Sequence, residues 1–331
     1  NDMTIVYQDL PVIHGTGEIL KDQKTDWRVL KLKTVAVSKA FDQPEKYWLG
    51  RSQRMFDCGS TLEFAVDPHG NKRLLRALFC RDRMCPSCQR RRSMAIFHQV
   101  KAVCLSAQKE HPTLKYLLLT LTVPNVSAKR LPEEIKHLTA SFDRLMKRAE
   151  VKRGVKGFFR ALEVTYSGER DDYHPHFHVL LAVPSGYFKK TYITQARWLE
   201  LWRESTRYPE ITQVDIRTIK PNRKRQGSSS IESAAAEVGK YATKPSNYVC
   251  ELPDGNYIAH AKAVKDLALG IRHKRLIAFG GILKEHHKLL NLQDVESDSV
   301  DLVHTGEEND TIEAVMVQVF RWNVGLRQYV N

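Results

Sequence analysis

The chain has 331 residues, 42% of them hydrophobic, with a formal charge of +14 at pH 7 and an isoelectric point near 9.5. That much apolar material can bury one large core or two smaller ones, which argues against a disordered chain, and the positive balance fits a polyanionic partner whose counterions are released on binding. No apolar run of about 18 residues is present to cross a bilayer, and Asn1-Asp2-Met3-Thr4 lacks the basic and apolar regions of a signal peptide, so a cytoplasmic protein without membrane contact is expected. The charge is uneven: Asp294 to Glu313 holds eight acids and no Lys or Arg, so the remainder is more basic than the total.

Residues 1 to about 50 contain short apolar segments such as Trp27 to Val37 and no chemical motif. Short strands are expected at Leu62 to Val66 and Leu74 to Phe79. Cys80, Cys85 and Cys88 then fall close together, and Cys85-Pro86-Ser87-Cys88 has the gap of a metal-binding turn. Cys58, beside Gly59, can supply a fourth thiolate to tetrahedral Zn²⁺, with His98 as the substitute ligand. Cytosolic cysteines argue for thiols or a metal rather than disulfides. Buried apolar packing is the competing reading, but the polar and basic neighbours Arg81, Asp82, Arg83 and Gln89 to Arg92 argue against an apolar core. Cys104 and Cys250 stand alone and read as packing residues. Arg90, Arg91 and Arg92 lead into a helix through Ser106, with Ile96, Val100 and Val103 at helical spacing. A zinc-stapled module beside a basic helix suits DNA contact, and a solvated basic face fits equally.

Leu117 to Val123 alternates, with Leu117, Leu119, Leu121 and Val123 on one face and Thr120 and Thr122 on the other, and predicts a strand. Pro132-Glu133-Glu134 opens a helix to about Glu150, striped by Ile135, Leu138, Phe142 and Leu145. Phe158 to Tyr166, turn residues Ser167 to Asp172, and His176 to Val183 read as a hairpin. A helix from about Thr194 to Ser205 buries Trp198, Leu199 and Trp202, and a strand follows at Ile211 to Ile219. A basic loop, Pro221 to Ser230, carries Arg223, Lys224 and Arg225. An Ala-rich helix at Ile231 to Lys244 stops at Pro245. The order predicts an α+β fold, an antiparallel sheet covered by helices. The expected regions are 1–110, with the zinc module and basic helix for DNA binding; 111–290, catalytic; and 291–331, an acidic linker and the apolar Ala314 to Val324.

The chemistry concentrates in His174-Pro175-His176-Phe177-His178 and Glu237-Val238-Gly239-Lys240-Tyr241-Ala242-Thr243-Lys244. On a strand His176 and His178 project from one face, and on a helix Glu237 and Tyr241 share a side. If Leu162 and Val164 share the core face with Phe177, Val179 and Leu181, Glu163 falls on the face of the two imidazoles. Two imidazoles and a carboxylate leave open positions for phosphate oxygens and suit Mn²⁺ or Mg²⁺ as a Lewis acid. His174 is a fourth ligand, a phosphate contact or solvated. A phenol is a poor nucleophile unaided, so Tyr241 needs a metal-polarised phosphate. Glu237 can act as base on water or on an attacking hydroxyl, and Lys240 and Lys244 can hold phosphate oxygens. Tyr248 is a rival nucleophile beyond Pro245. The bland reading is a core tyrosine on an amphipathic helix with a solvated polar face. The whole set reads as a metal-dependent DNA-nicking enzyme.

These residues resemble the HUH endonucleases, and within them the rolling-circle replication initiators of small bacterial plasmids. Leu117 to Pro124, His174 to Leu180 and Glu237 to Lys244 match the three motifs in order and spacing. The Cys80 to Cys88 cluster and Gly280-Gly281-Ile282-Leu283-Lys284 resemble the branch that pairs a single Tyr with a Glu four residues earlier. The resemblance implies a five-stranded antiparallel, ferredoxin- or RRM-like sheet flanked by helices. It implies recognition of a plasmid double-strand origin in the bacterial cytoplasm and nicking in an extruded hairpin with a 5′-phosphotyrosyl link. It also implies recruitment of a host replicative helicase, with Tyr241 as nucleophile and Glu237 as the base of a terminating hydrolysis. His176, His178 and Glu163 become the metal ligands. The segment 291–331 fits a linker to an oligomerisation hairpin, a helicase-docking segment or a strand that completes the core, and a homodimer stays open. Competing readings are an HUH transposase or relaxase, and a zinc-stapled DNA-binding regulator that does not cleave.

Overall fold

The structure, a computed structural model, describes residues 10–21, 25–219, 230–241, 248–306 and 313–331, without the side chains of Lys240 and Tyr241. Arg223, Lys224, Arg225 and Lys244 lie outside the described residues. The chain order opens with β1 (Val12–Ile13), α1 (Trp27–Ala40), α2 (Lys46–Phe56), β2 (Thr61–Val66), β3 (Lys72–Ala77), α3 (Pro86–Glu110) and β4 (Lys115–Thr122). It continues with α4 (Leu131–Lys147), α5 (Ala149–Gly154), β5 (Gly157–Ser167), β6 (Asp172–Val183), α6 (Tyr187–Lys190), α7 (Gln195–Thr206), β7 (Asp215–Thr218) and α8 (Ser230–Tyr241). Last come β8 (Val249–Glu251), β9 (Tyr257–Ala259), α9 (Ala261–Gly270), β10 (Ile277–Gly281), α10 (Ile282–Leu289), β11 (Met316–Asn323) and β12 (Gln328–Val330). The chain divides into two compact units, one of Asn1–Arg92, Tyr248–Lys265 and Asp301–Asn331, the other of Ser93–Asn247 and Asp266–Val300.

The second unit is built on a five-stranded antiparallel sheet in the order β10-β5-β6-β4-β7. Alternation sorts its side chains into two faces. Leu121 of β4 and Leu162 of β5 both stand opposite Phe177 of β6, and Leu119 stands opposite Val179. Phe142 of α4 meets Phe177 and Phe158 edge-on from that side, and α4 packs in turn on α7. Pro132, Glu133 and Glu134 open α4, and Arg144 and Lys147 close it, so both ends complement the helix dipole.

The opposite face carries Tyr116, Leu118, Phe159, Ala161, Leu180 and Ala182. They share one core with residues Ala95 to Ala107 of α3 and with Ile231, Ala234, Ala235 and Val238 of α8. The spacing of those four α8 residues is what a helix lying flat on a sheet requires. Gly239 marks the crossing of α8 with α3. A Cβ there would stand 3.4 Å from the Ser93 carbonyl oxygen, and the Ser93 hydroxyl donates to the Gly239 carbonyl at 2.9 Å. Gly281, between β10 and α10, has φ +56°, and a Cβ would lie 2.2 Å from the Lys156 carbonyl oxygen. Only glycine fits such a junction.

In the first unit β11 lies between β1, its parallel partner, and β2, its antiparallel one. β3 pairs with β2, and β12 folds back on β11. Leu62, Phe64, Leu74, Phe320 and Tyr329 pack with Trp27 of α1, which stacks on Phe79. Among the described residues no helix is long and apolar enough to cross a membrane.

Several expectations change. Trp27 to Val37 belongs to the helix α1. The strand expected from Ile211 to Ile219 is only Asp215–Thr218. Leu201 is buried in α7 in place of Leu199. The apolar segment near the C-terminus takes one of the roles expected for it, a strand that completes a core, by supplying β11 to the first unit's sheet.

Candidate active site and metal centre

The hairpin register expected from the apolar residues is found, with Glu163 directly opposite His176 and Ala161 opposite His178. Non-covalent contacts follow from that register. His176 Nε2 and His178 Nε2 lie 3.0 and 2.9 Å from the same oxygen of Glu163, and all three residues are buried. Their ligand atoms lie within 4.8 Å of one another. His174 stands outside this converging set, its ring 5.2 Å from that of His176. Its carbonyl accepts from His176 Nδ1 at 3.1 Å, which leaves the Nε2 lone pair of the neutral ring for a cation. Thr120, on the same face of β4, sits 3.4 Å from His178 Nδ1.

Burial pushes the Glu163 carboxyl up, but hydrogen bonds from His176 and His178 outweigh it and hold it at about 2. Burial lowers His178 in spite of the attraction of Glu163, and it lowers His174 too. An ionised Glu163 beside a His178 imidazole biased to the neutral form is the protonation state a divalent cation needs. The donor set fits such an ion.

The helix α8 packs on β4, β5 and β6 from this same face and ends at Tyr241. Glu237, one turn earlier, is half-buried and close enough to His178 to add to the negative field there. Arg217 Nη2 of β7 donates to Glu237 Oε1 at 3.1 Å. Arg217 escaped the sequence reading because nothing local marks one arginine on a short edge strand. The pairing of Thr120 with Asp215, two residues away, is the signal that places it on the site face. Tyr248 is a core residue of the first unit, 3% exposed, with its hydroxyl bonded to Gln89 and its phenol pushed up by burial. It is no rival nucleophile.

In the first unit the four cysteines come together. Sγ of Cys58 lies 3.6 Å from those of Cys85 and Cys88, and Cys80 lies 3.7 Å from Cys88. Zn–S bonds of ~2.3 Å in a tetrahedron set sulfurs about 3.8 Å apart, so the spacing fits a tetrathiolate centre. All four are free thiols. Burial pushes Cys85 up, but hydrogen bonding with Cys58, Cys80 and Cys88 holds it well below the ordinary thiol range. Cys58 completes the set, and His98 does not join it.

A lysine the sequence did not flag is bonded to the turn that carries the distant Cys58. Lys31 is fully buried on α1 and donates all three protons, to the carbonyls of Phe56 and Cys58 and to the Ser60 hydroxyl, at 2.6, 2.9 and 2.8 Å. Burial lowers it to about 8 against the attraction of Cys58, Cys85 and Asp57. Arg51 forms a two-pronged pair with Asp82 in the loop between Cys80 and Cys85.

Two of the arginines expected to touch DNA are structural. Arg91 is 3% exposed and donates to the carbonyls of Leu302 and Val303, while Arg92, at 6%, donates to those of Arg81 and Asp82. Backbone acceptors buried in the fold claim both guanidinium groups. Arg90 is exposed. Cys104 is buried as expected, but Cys250 is exposed.

A family model described as a replication protein, Rep_1, matches residues 71–330. The Protein rep of Streptococcus pneumoniae serotype 2 (strain D39 / NCTC 7466) is 37% identical over 307 residues, covering 92% of this chain and 91% of the relative. That of Bacillus amyloliquefaciens is 37% identical over 327 residues, covering 93% and 94%. That of Lactiplantibacillus plantarum is 33% identical over 325 residues, covering 95% and 99%. No solved structure matches. With two ligand clusters in place and similarity running along most of its length, the chain belongs to the replication protein family, the plasmid Rep initiators.

Proposed function

We propose that the protein starts rolling-circle replication by nicking one strand of a plasmid double-strand origin within an HUH endonuclease fold. The observation that carries this reading is the convergence of Glu163, His176 and His178 on the sheet face that also seats the helix ending at Tyr241. Glu163, His176 and His178 would hold Mn²⁺ or Mg²⁺, which supplies Lewis-acid polarisation of the scissile phosphate. The Tyr241 oxygen attacks phosphorus and loses its proton, the bond to the 3′ oxygen breaks, and that oxygen takes a proton to become a 3′-OH. A 5′-phosphotyrosyl link remains and conserves the energy of the phosphodiester. Lys240 and Lys244 steady the phosphate oxygens.

At termination Glu237 removes a proton from water, which attacks phosphorus. The bond to Tyr241 breaks and the phenol is restored. Arg217 positions the Glu237 carboxylate for this step. The four cysteines hold structural Zn²⁺, and Arg90, Arg223, Lys224 and Arg225 contact DNA. The origin is read as an extruded hairpin, and a host replicative helicase extends the opening.

Supercoiled DNA of the native replicon, incubated with Mn²⁺ and run on a denaturing gel, tests the reading. Wild type should yield a protein-bound 5′ end that is absent with Tyr241→Phe and accumulates with Glu237→Ala. No cleavage by wild type with metal and origin supplied would leave a DNA-binding regulator as the better account.

A further inference from the structure

The end of the sheet away from the two histidines carries a second feature. A cavity of about 200 Å³ opens there, lined by Gln108, Lys115, Tyr116, Ser185, Phe188 and Thr218 among others, with no carboxylate in its wall. Phe188, on the short helix that follows β6, is 45% exposed, and Tyr192 beside it is 56% exposed, their ring centroids 6.1 Å apart. Two large aromatic rings held in solvent forfeit burial that each would gain in a core. Their setting is basic. Lys189 and Lys190 follow Phe188 and are exposed, as are Lys152 and Arg153 at the end of α5. A Cβ on Gly154 would stand 3.0 Å from the Tyr187 ring, so α5 is in contact with α6 and its two cations border the same surface. None of Lys115, Lys152, Arg153, Lys189 and Lys190 pairs with a carboxylate among the described residues, whereas nearby Arg197 is taken up by Glu150, Glu200 and Glu204.

Exposed rings with sequence-tolerant π-faces, a pocket for one flat group and unpaired cations around them are the parts of a single-strand nucleic-acid site. We infer that Phe188 and Tyr192, with the adjoining cavity, bind an unpaired base of single-stranded DNA while Lys115, Lys189 and Lys190 hold its phosphates. The inference deepens the nicking proposal, which requires the opened strand to be held.

The test uses the full chain carrying Tyr241→Phe, without metal, and fluorescence anisotropy of a labelled oligonucleotide as a single strand and as a duplex. Phe188→Ala should weaken single-strand binding by about 5- to 150-fold, the effect of losing one base–aromatic stack, and leave the duplex unchanged. Phe188→Trp should restore it, which separates stacking from damage to the fold. Lys189→Gln with Lys190→Gln should weaken binding and flatten its salt dependence. Unchanged single-strand affinity in the Phe188→Ala chain overturns the inference and leaves a protein partner as the occupant of the rings. An equal loss for duplex overturns it as well. Cleavage is read separately in the chain that keeps Tyr241, with Mn²⁺: if it cleaves its origin while single-strand affinity ignores Phe188, the stacking site alone fails, and if single-strand binding depends on Phe188 but the Tyr241 chain never cleaves, the nicking proposal alone fails.

Discussion

Cys58, Cys80, Cys85 and Cys88 offer four soft ligands from turns and a helix start, whereas Glu163, His176 and His178 offer three harder ones from two paired strands. The turn-borne set needs outside help to converge, and three cations, Lys31, Arg51 and Arg92, hold its loops. The strand-borne set needs only register, because a hairpin already fixes which side chains face each other. A four-thiolate tetrahedron is closed and suits stability, while three ligands leave positions for a substrate. On the proposed function, structure and chemistry would thus be divided between a site that holds the chain together and one that has room to act.

The largest effect should come from removing the closed site. Cys85→Ser is expected to lose the zinc and unfold the first unit, since structural zinc contributes ~10–16 kcal/mol of apparent binding energy. Metal analysis and far-UV circular dichroism read this out. His178→Ala should abolish Mn²⁺-dependent nicking while zinc content and the dichroism stay at wild-type values. A first unit that stays folded without its metal erases the distinction.

Within the open site, Glu237→Ala should slow release of the covalent DNA adduct by about 10²- to 10⁴-fold while nicking persists, as loss of a general base does. Single-turnover kinetics separates the two steps, and an equal fall in both would make Glu237 part of the nicking step. A smaller effect belongs to Lys31→Met, which keeps the volume and removes the charge and three hydrogen bonds. Zinc loss to a chelator should quicken about 10- to 100-fold, the usual range for an outer-shell partner. An unchanged rate would mean that the turn carrying Cys58 holds itself.

The smallest effect is one of pH. Glu163 is held at about 2 against an ordinary 4.5, so its ionised form favours the folded state. That contribution is whole above about 4.5 and is lost as pH falls toward 2. Urea unfolding of the second unit at pH 5 and pH 3 should show the slope, and Glu163→Gln should reduce it.

Legibility followed the same divide. The alternation of Leu117 to Val123 and the apolar pairing of Leu162 with Phe177 carried enough information to place Glu163 beside His176, because strand faces repeat every second residue. The Cys motif was equally plain. Arg91 and Arg92 were misread because a run of arginines looks the same whether it meets phosphate or buried carbonyls, and only tertiary contacts supply Leu302 and Arg81 as acceptors. Lys31 was invisible for a related reason: lysine is so seldom buried that composition gives no hint of one with all three donors used. Trp27 to Ala40 lacked a motif, yet Asp26 caps it by accepting from the Val29 amide, a local signal that was available.

The placement of β11 between β1 and β2 bears on how the molecule is made. On the ribosome β2 and β3 emerge long before their inner neighbour, separated from it by the whole of the second unit. The second unit lies almost entirely in one stretch of chain and can close as it is synthesised, whereas the first must wait for β11. A polypeptide released early would carry the two-histidine site intact beside a half-sheet with an open edge, the kind of species that quality control removes.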